Sequence, residues 1–372
     1  MAEKYSLKDD LFNRDTVSLL AGHFETAGVF AAHPFVVDVM AKMPALELKA
    51  RINLIAQVLA RHLPQDFSAA ADAISAALPP PLDPAKNDDD FGHFIYAPLG
   101  VFVENHGLER DFDRSLDLIE ALTQRFSMEF SIRAFMNQRQ DATLERMLDW
   151  VRHDSYHVRR LVSEGTRPRL PWGQNVGLAI ADSLPFLDQL HADSTRFVTR
   201  SVANHLNDIS KTAADACIDR LVAWQAAGMQ QKKELDWMRR HALRGLLKAG
   251  NARAMQHLGY HPDVALEIAD FAISPDLIRR GDRAAVSLTL TTQDDAPLMV
   301  DYVIDFVKAN GKTAPRVFKL KTLTAKAGDP LTVQKSHYFK DDATTFVLYS
   351  GAHRIHLQVN GRIVATRPFT LT

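Results

Sequence analysis

The chain of 372 residues has a single cysteine, Cys217, so no disulfide can form within it. One cysteine fits a reducing compartment, and the apolar helical stretch around Cys217 favours a core position over a nucleophile. No run of about 18 apolar residues is present that could span a membrane. The charged start MAEKYSLKDD is not followed by the apolar region of a signal peptide. We therefore expect a cytoplasmic protein without membrane contact.

An excess of charge of one sign is also lacking, because 44 Lys and Arg stand against 45 Asp and Glu. The molecule as a whole is therefore not a basic nucleic-acid binder, and any such function must come from a local patch. The sequence has no Walker loop, GxSxG elbow, Rossmann fingerprint or HExxH motif. His153 and His157 are four residues apart, which is a weak metal signal without further ligands nearby. We expect no metal and no cofactor.

Two halves of the chain differ in their hydrophobic period. Up to about residue 262, apolar residues recur at helical spacing, which predicts helices over 46–62, 112–137, 143–163, 194–210 and 232–249. Short Gly, Pro and Asn connectors separate them, as in an array of helix pairs. The segment LLKAGNARAMQHLGY (246–260) is typical of a HEAT-type junction.

Beyond Pro262 the period is two. Seven short strands are predicted, over 266–273, 285–290, 299–307, 316–323, 331–337, 354–360 and 363–371, with turn residues between them. Such a series indicates an immunoglobulin-like sandwich without its usual disulfide. The sequence thus predicts a multidomain fold, an all-α HEAT-like-repeat solenoid over 1–262 followed by an all-β immunoglobulin-like sandwich over 263–372.

Basic residues cluster in the second half. Between Lys308 and Lys340 there are eight Lys or Arg, among them Lys319, Lys321 and Lys335, and Asp329 is the only acid. Lysines are common on solvated strand edges, where they oppose aggregation. The alternative is an electrostatic footprint for a polyanion backbone.

Three predicted helices carry polar residues at helical spacing. The stripes are Arg200, Asn204 and Asn207 with Asp208 beside them; Arg152, Tyr156, Arg159 and Arg160; and Arg125, Glu129 and Arg133. Each stripe alone is best explained as the solvated face of an amphipathic helix. Because three successive helices share the pattern, a common concave surface is the alternative.

The stretch VRRLVSEGTRPRLPW (158–172) concentrates arginines, one glutamate and a tryptophan at a helix exit. Gly165 is suited to a left-handed helix end, and the prolines after it predict a stiff loop that carries Trp172. Guanidinium groups suit phosphate oxygens, and an exposed indole suits a sugar or a base. The alternative is a helix end whose arginines pair with acidic neighbours.

Five segments together resemble the AlkC family of alkylbase DNA glycosylases. They are FIYAPLGVFVENHG (94–107), RFSMEFSIRAF (125–135), VRRLVSEGTRPRLPWG (158–173), SVANHLNDISK (201–211) and LLKAGNARAMQHLGY (246–260). The resemblance implies a HEAT-like-repeat glycosylase of the subgroup with a C-terminal immunoglobulin-like domain. It implies excision of cationic N-alkylated bases, such as 3-methyladenine and 3-methylcytosine, from double-stranded DNA without base flipping. A monomer that acts at the bacterial nucleoid, without cofactor, is expected.

The resemblance also assigns residues. Glu129, Glu164 and Asp208 match the acidic positions, where carboxylates stabilise an oxocarbenium-like transition state. We rank Asp208 and Glu129 above Glu164 for direct catalysis, since Glu164 is suited to holding the arginines. Candidates for DNA contact are Trp172, Arg152, Arg159, Arg160, Arg167, Asn204, Lys319, Lys321 and Lys335.

A non-catalytic HEAT-repeat scaffold that binds DNA or protein is the competing hypothesis. It predicts that Glu129 and Asp208 are surface residues without a shared cleft.

Overall fold

The computed structural model describes residues 6–343 and 346–372. Over these residues the chain forms fifteen α-helices followed by eight β-strands. The helices are α1 Leu7–Leu11, α2 Arg14–Thr26, α3 Ala32–Met40, α4 Leu48–His62, α5 Phe67–Ala77, α6 Ala97–His106, α7 Phe112–Thr123, α8 Ile132–Gln138, α9 Gln140–Trp150, α10 Tyr156–Gly165, α11 Ile180–Leu190, α12 Arg196–Ile209, α13 Ala214–Ala227, α14 Lys232–Lys248 and α15 Ala252–His257. The strands are β1 Leu266–Ser274, β2 Leu277–Ile278, β3 Arg283–Thr292, β4 Ala296–Val307, β5 Thr313–Ala325, β6 Leu331–Tyr338, β7 Gly351–Val359 and β8 Arg362–Leu371.

The helical part confirms the predicted fold class. In α12 the apolar side is fully buried at Val198, Val202 and Leu206, as the helical period requires. The Asn251 side chain accepts a hydrogen bond from the Ala254 N–H, which begins α15 at the predicted HEAT-type junction. None of the helices described is long and apolar enough to cross a membrane.

Two predicted helices are wrong, because each is interrupted. The 112–137 prediction divides into α7 and α8, and the Thr123 hydroxyl accepts the Met128 N–H (3.2 Å), a bond to a side chain in place of the helical one. The 143–163 prediction divides into α9 and α10 at His153-Asp154-Ser155, where the Ser155 N–H donates to His153 Nδ1 (2.9 Å). Asp and Ser favour turns and helix starts over helix interiors. The polar stripes predicted on these two helices therefore do not lie on single helices.

The β-strands form two sheets, β1-β3-β6 and β2-β8-β7-β4-β5, paired antiparallel except for β2 with β8. Burial in β3 alternates strictly, with Val286, Leu288 and Leu290 pointing into the core. The seven predicted strands are confirmed to within a few residues at their ends. The two-residue strand β2 was not predicted, because two residues cannot show a period.

Contacts between Cα atoms divide the chain into two compact units. One comprises the residues up to Ile209 together with Ala223–Met238, and the other Ser210–Val222 with Arg239–Thr372. The change from helix to strand falls between α15 and β1, whereas the contact units divide within α13 and α14. The domain boundary at residue 262 stays a prediction.

Candidate functional site

Five charged side chains of the first unit form a continuous series, which we name the carboxylate–arginine chain. Its members, in order, are Glu129, Arg160, Glu164, Arg167 and Asp208. Glu129 lies in the turn before α8, Arg160 and Glu164 on α10, Arg167 just after α10, and Asp208 on α12. The structure thus brings together all three carboxylates that were predicted as catalytic.

Each arginine bridges two carboxylates. Arg160 lies 2.9 Å from Glu129 and 3.7 Å from Glu164, measured from guanidinium nitrogen to carboxylate oxygen. Arg167 lies 2.5 Å from Glu164 and 2.9 Å from Asp208. Side-chain exposure is 15% for Glu129, 6% for Glu164 and 4% for Asp208. Glu129 is therefore the carboxylate that solvent or a ligand reaches most easily.

Hydroxyl groups complete the hydrogen bonding of the carboxylates. The Ser127 hydroxyl donates to Glu129 (2.5 Å), and the Ser201 hydroxyl donates to Glu164 (2.6 Å). Ser201 lies on α12 and faces α10, so its bond also joins the two helices. Buried charges are tolerated when they are paired and hydrogen-bonded in this way.

The pairing shifts the pKa of Glu164 and of both arginines towards their charged forms. Burial alone would raise the pKa of Glu164, but the guanidinium groups of Arg160 and Arg167 outweigh it and lower that pKa. Burial would lower the pKa of both arginines, and the neighbouring carboxylates raise it instead. The site therefore holds fixed negative charge rather than a proton donor at Glu164.

A cavity of about 400 Å³, the central cavity, opens above the carboxylate–arginine chain. Its walls are Phe91, Phe94, Phe126, Ser127, Glu129, Phe130, Arg160, Glu164, Arg167, Leu170, Pro171, Trp172, Phe197, Arg200, Ser201 and Asn204. Glu129 and Glu164 reach the cavity, while Asp208 lies behind Arg167. Asp208 is buried and does not line the cavity, so the surface position that the scaffold hypothesis predicts for it is not observed, whereas Glu129 shares the cavity with Glu164.

Trp172 stands at the rim of the central cavity with 62% of its surface exposed. Its backbone has φ 66°, an unfavourable left-handed conformation for a bulky residue. The Lys49 ammonium donates to the Trp172 carbonyl (2.9 Å), which helps to hold this conformation. The expectation of a left-handed Gly165 is wrong: Gly165 ends α10 in a helical conformation, and a Cβ there would lie 2.7 Å from Ile132.

Arg133 anchors the loop between α10 and α11. Its fully buried guanidinium donates to the carbonyl of Gly165 (2.8 Å), of Arg167 (2.9 Å) and of Gln174 (2.5 Å). These carbonyls flank the segment that carries Arg167 and Trp172. Sequence reasoning placed Arg133 on a polar stripe and missed this role, since backbone partners leave no sequence signal.

The other candidates of the helical part, Arg159, Arg152 and Asn204, have different surroundings. Arg159 makes an ion pair with Asp193 (2.6 Å) and donates to two backbone carbonyls, so it faces away from the carboxylate–arginine chain. Arg152 is exposed in the turn after α9. Asn204 is half-buried in the wall of the central cavity.

The basic candidates of the second unit lie on the sandwich. Lys319 and Lys321 are exposed on β5, and Lys335 on β6 donates to the Lys319 carbonyl (2.6 Å). Their neighbour Asp301 on β4 is buried, and that burial raises its pKa to about 6 although Lys319 and Lys335 act in the opposite sense. A carboxylate thus lies beside this basic surface.

The segment between α5 and α6 contributes residues that sequence reasoning missed. Asp88 and Asp89 each pair with Arg200 at 2.8 Å, and the half-exposed Phe91 ring lies 5.8 Å from the guanidinium groups of Arg160 and Arg200. The sequence shows this segment only as a polar, proline-rich connector. No periodic signal marks it as a wall of the site.

The histidines and Cys217 have structural positions. His153 pairs with Glu120 (3.4 Å), and burial lowers the pKa of His157 and of His205 to about 4. Among the described residues, no three His, Cys, Asp or Glu side chains are grouped so that they could hold a metal ion. Cys217 is fully buried, and burial raises its pKa to about 12, so the core position expected for it is confirmed.

Comparison with known proteins covers nearly the whole chain. Residues 267–372 match the family model described as the C-terminal Ig-like domain of the uncharacterised protein YhaZ. The uncharacterized protein YhaZ of Bacillus subtilis is 31% identical over 359 residues, which span 95% of this chain and 96% of the relative. A solved structure of the alkylpurine DNA glycosylase AlkC from Pseudomonas fluorescens, bound to DNA containing an abasic site analog, is 31% identical. It superimposes with a TM-score of 0.87 and covers 99% of this chain and 100% of AlkC.

The order of helices and strands and the match of the C-terminal residues place the chain in the class of helical-repeat proteins with a C-terminal immunoglobulin-like domain. Within that class it belongs to the AlkC family of alkylbase DNA glycosylases, in the subgroup that carries this domain. The resemblance stated from the five sequence segments is thereby confirmed.

Proposed function

We propose that the protein is a monofunctional DNA glycosylase that excises cationic N-alkylated bases, 3-methyladenine and 3-methylcytosine, from double-stranded DNA. The observation that carries this proposal is the carboxylate–arginine chain beneath the central cavity. The AlkC structure was solved with DNA containing an abasic site analog, the product side of such a reaction.

The chemistry requires negative charge more than it requires an acid. An N3-alkylated base is already cationic and is a good leaving group without protonation. As the glycosidic bond breaks, positive charge moves to the deoxyribose, as in glycoside hydrolysis. A fixed carboxylate close to C1′ stabilises that charge and orients the attacking water. Glu164, whose pKa is lowered by its arginines, is suited to supplying negative charge and not a proton.

We assign the three carboxylates different distances from the reaction. Glu129, the most exposed, is proposed to face the sugar directly. Glu164 lines the cavity between two arginines, and Asp208 completes the chain behind Arg167. This order of proximity to the sugar differs from the ranking for direct catalysis made from sequence, which placed Asp208 together with Glu129 above Glu164. Because the charges are coupled, we expect all three to affect the rate.

Contacts to DNA are proposed for the remaining candidate residues. Trp172 at the rim is placed to lie against a sugar, so that the damaged base reacts in the stack without flipping. Arg160, Arg167 and Asn204 line the central cavity, where the abasic product would sit. Arg152, Arg159, Lys319, Lys321 and Lys335 are proposed as contacts to phosphates outside it. We propose that a monomer suffices and that the helical repeats over 1–262 form the glycosylase domain.

A release assay tests the proposal. Methylated duplex DNA is incubated with excess protein in EDTA, and the freed bases are identified by mass spectrometry. We expect 3-methyladenine or 3-methylcytosine to be released at full rate in the chelator. Release no faster than in buffer, at stoichiometric protein, would remove the glycosylase proposal and favour a scaffold.

A further inference from the structure

A second cavity, the side cavity, adjoins the central cavity within the first unit. The two share five wall residues, Phe94, Phe126, Ser127, Phe130 and Trp172. Beyond these, the side cavity is bounded by the apolar faces of α4 and α6. Leu48 and Ile52 lie one turn apart on α4, and Ala97 and Val101 one turn apart on α6. The two cavities are thus neighbours with a common wall of four aromatic side chains and Ser127.

The size of the side cavity limits what it can hold. Its volume is about 180 Å³, below the roughly 300–1,000 Å³ of sites for drug-sized ligands. An apolar cavity of roughly 150 Å³ accepts benzene. A single flat heterocycle therefore fits, whereas a nucleotide with its sugar and phosphate does not fit inside the walls.

Polar side chains that line the side cavity are suited to forming hydrogen bonds with the edge of a base. The Gln174 amide donates to one carboxylate oxygen of Glu104 (3.0 Å), and burial raises the pKa of Glu104. Glu104, Gln174 and Asn53 all line this cavity. Apolar and aromatic faces with a few converging acceptors and donors are typical of sites for aromatic heterocycles.

We infer that the side cavity binds a single nucleobase, namely the base released from the central cavity. This inference rests on the proposed glycosylase function. When the N–C1′ bond breaks, its electron pair returns to the base, which becomes neutral, and water adds to C1′ with loss of a proton. A neutral base is no longer attracted to the carboxylate–arginine chain. The apolar walls of the neighbouring side cavity then favour transfer of the base past Trp172 into that cavity.

A flat base in the side cavity could also come from the DNA itself, as a base displaced next to the abasic site. Two titrations separate the sources. Free 3-methyladenine is titrated into the full-length protein by calorimetry and by quenching of tryptophan fluorescence, with Trp172→Phe identifying the part of the signal that comes from Trp172. In parallel, a duplex with 2-aminopurine next to an abasic-site analogue is bound, and the 2-aminopurine fluorescence is measured.

Variants that fill the side cavity provide the test. Val101→Phe on α6 and Ile52→Phe on α4 place a ring in it from two different helices, and Asn105→Phe on an exposed position of α6 is the matched control. We expect either filled variant to weaken binding of the free base by about tenfold or more, and Asn105→Phe to leave it unchanged. Product inhibition by added 3-methyladenine should weaken in parallel, while single-turnover release stays at the wild-type rate.

The outcomes are distinct. Tight free-base binding that both filled variants lose supports the inference. A 2-aminopurine signal that Val101→Phe abolishes, without binding of free base, overturns the released base as occupant in favour of a DNA base. If neither probe responds to filling although the protein releases bases from methylated DNA, the site is refuted and the function stands. If free base binds but no base is ever released, the proposed function fails and the cavity remains a base site.

Discussion

Replacement of Glu129 by glutamine tests the proposed chemistry most directly. The change removes the negative charge of the most exposed member of the carboxylate–arginine chain and keeps its shape. The Ser127 hydroxyl and the Arg160 guanidinium can still donate to the remaining carbonyl oxygen. Arg160 also keeps Glu164 as a partner at 3.7 Å and lies 4.4 Å from the centre of the Phe197 ring. We therefore expect a folded variant with a modest loss of stability.

The magnitude follows from Coulomb's law. Two unit charges roughly 4 Å apart interact by about 4 kcal/mol at an effective dielectric constant of about 20. Removing one preorganised group that stabilises transition-state charge typically costs about 10²–10³ in rate, or roughly 2.7–4 kcal/mol. We expect single-turnover release by Glu129→Gln to fall by about 10² or more. Affinity for DNA should stay the same or increase, because a negative charge leaves a surface that faces phosphates.

The assay measures release of 3-methyladenine from methylated duplex DNA with excess protein, so that product release does not limit the rate. Glu234→Gln is a matched control. Glu234 pairs with Arg196, its side chain is 17% exposed against 15% for Glu129, and Arg196 packs on an aromatic ring as Arg160 does. A Glu129→Gln protein that releases bases at the wild-type rate would refute a direct role for this carboxylate. Equal losses in both variants would show that the effect is structural.

Four further outcomes are expected. Arg167→Ala leaves Glu164 and Asp208 buried without their shared partner, so urea unfolding should show a loss of roughly 3–5 kcal/mol; an unchanged midpoint would contradict the buried pairing. Lys321→Ala should reduce the slope of log affinity against log salt by about one unit, as one lost phosphate contact does, and an unchanged slope would place Lys321 away from DNA. Burial raises the pKa of Asp301 to about 6 from an ordinary 3.8, so the charged side chain destabilises the folded protein above pH 6 and not below pH 3.8. The variant Asp301→Asn should therefore raise the unfolding free energy by on the order of 1–3 kcal/mol at pH 7.5. At pH 3.5 it should give no gain. For His157 and His205 the folded-state pKa is about 4 against 6.5, so stability present above pH 6.5 should decline as the pH falls from 6.5 towards 4, and a flat profile over that window would be the contrary result.

Most of the fold follows from the periods of the sequence. The alternation of Val286, Leu288 and Leu290 in β3 and the apolar face of α12 are each produced by one repeated burial pattern, which the sequence displays directly. The helix interruptions at 124–131 and 151–155 do not follow from these periods, because each depends on a local hydrogen bond that competes with the helix. Periodicity continues across such a break, so the sequence reads as one helix where the structure has two.

The sequence predicted the charged residues of the candidate site but not the residues that hold them in place. Glu129, Glu164 and Asp208 lie in motif segments, and the resemblance selected them before their proximity was known. Arg133 and Lys49 act on backbone carbonyls, and such partners are independent of residue type. The side cavity arises where α4 meets α6, so its walls are far apart in sequence.

The attachment of the 165–174 loop through its carbonyls has a consequence for evolution and for engineering. Every residue type supplies a carbonyl, so the route of the loop is specified by Arg133 on α8 and Lys49 on α4 rather than by the residues it carries. The exposed positions of the loop tip, such as Arg169 and Pro171, are therefore free to diversify without loss of its path. Leu170 is constrained by its burial, and Trp172 by its positive φ, which glycine or asparagine would adopt without strain. A small library at 169, 171 and 172 would thus test whether the loop tip affects base release while the path of the loop stays unchanged.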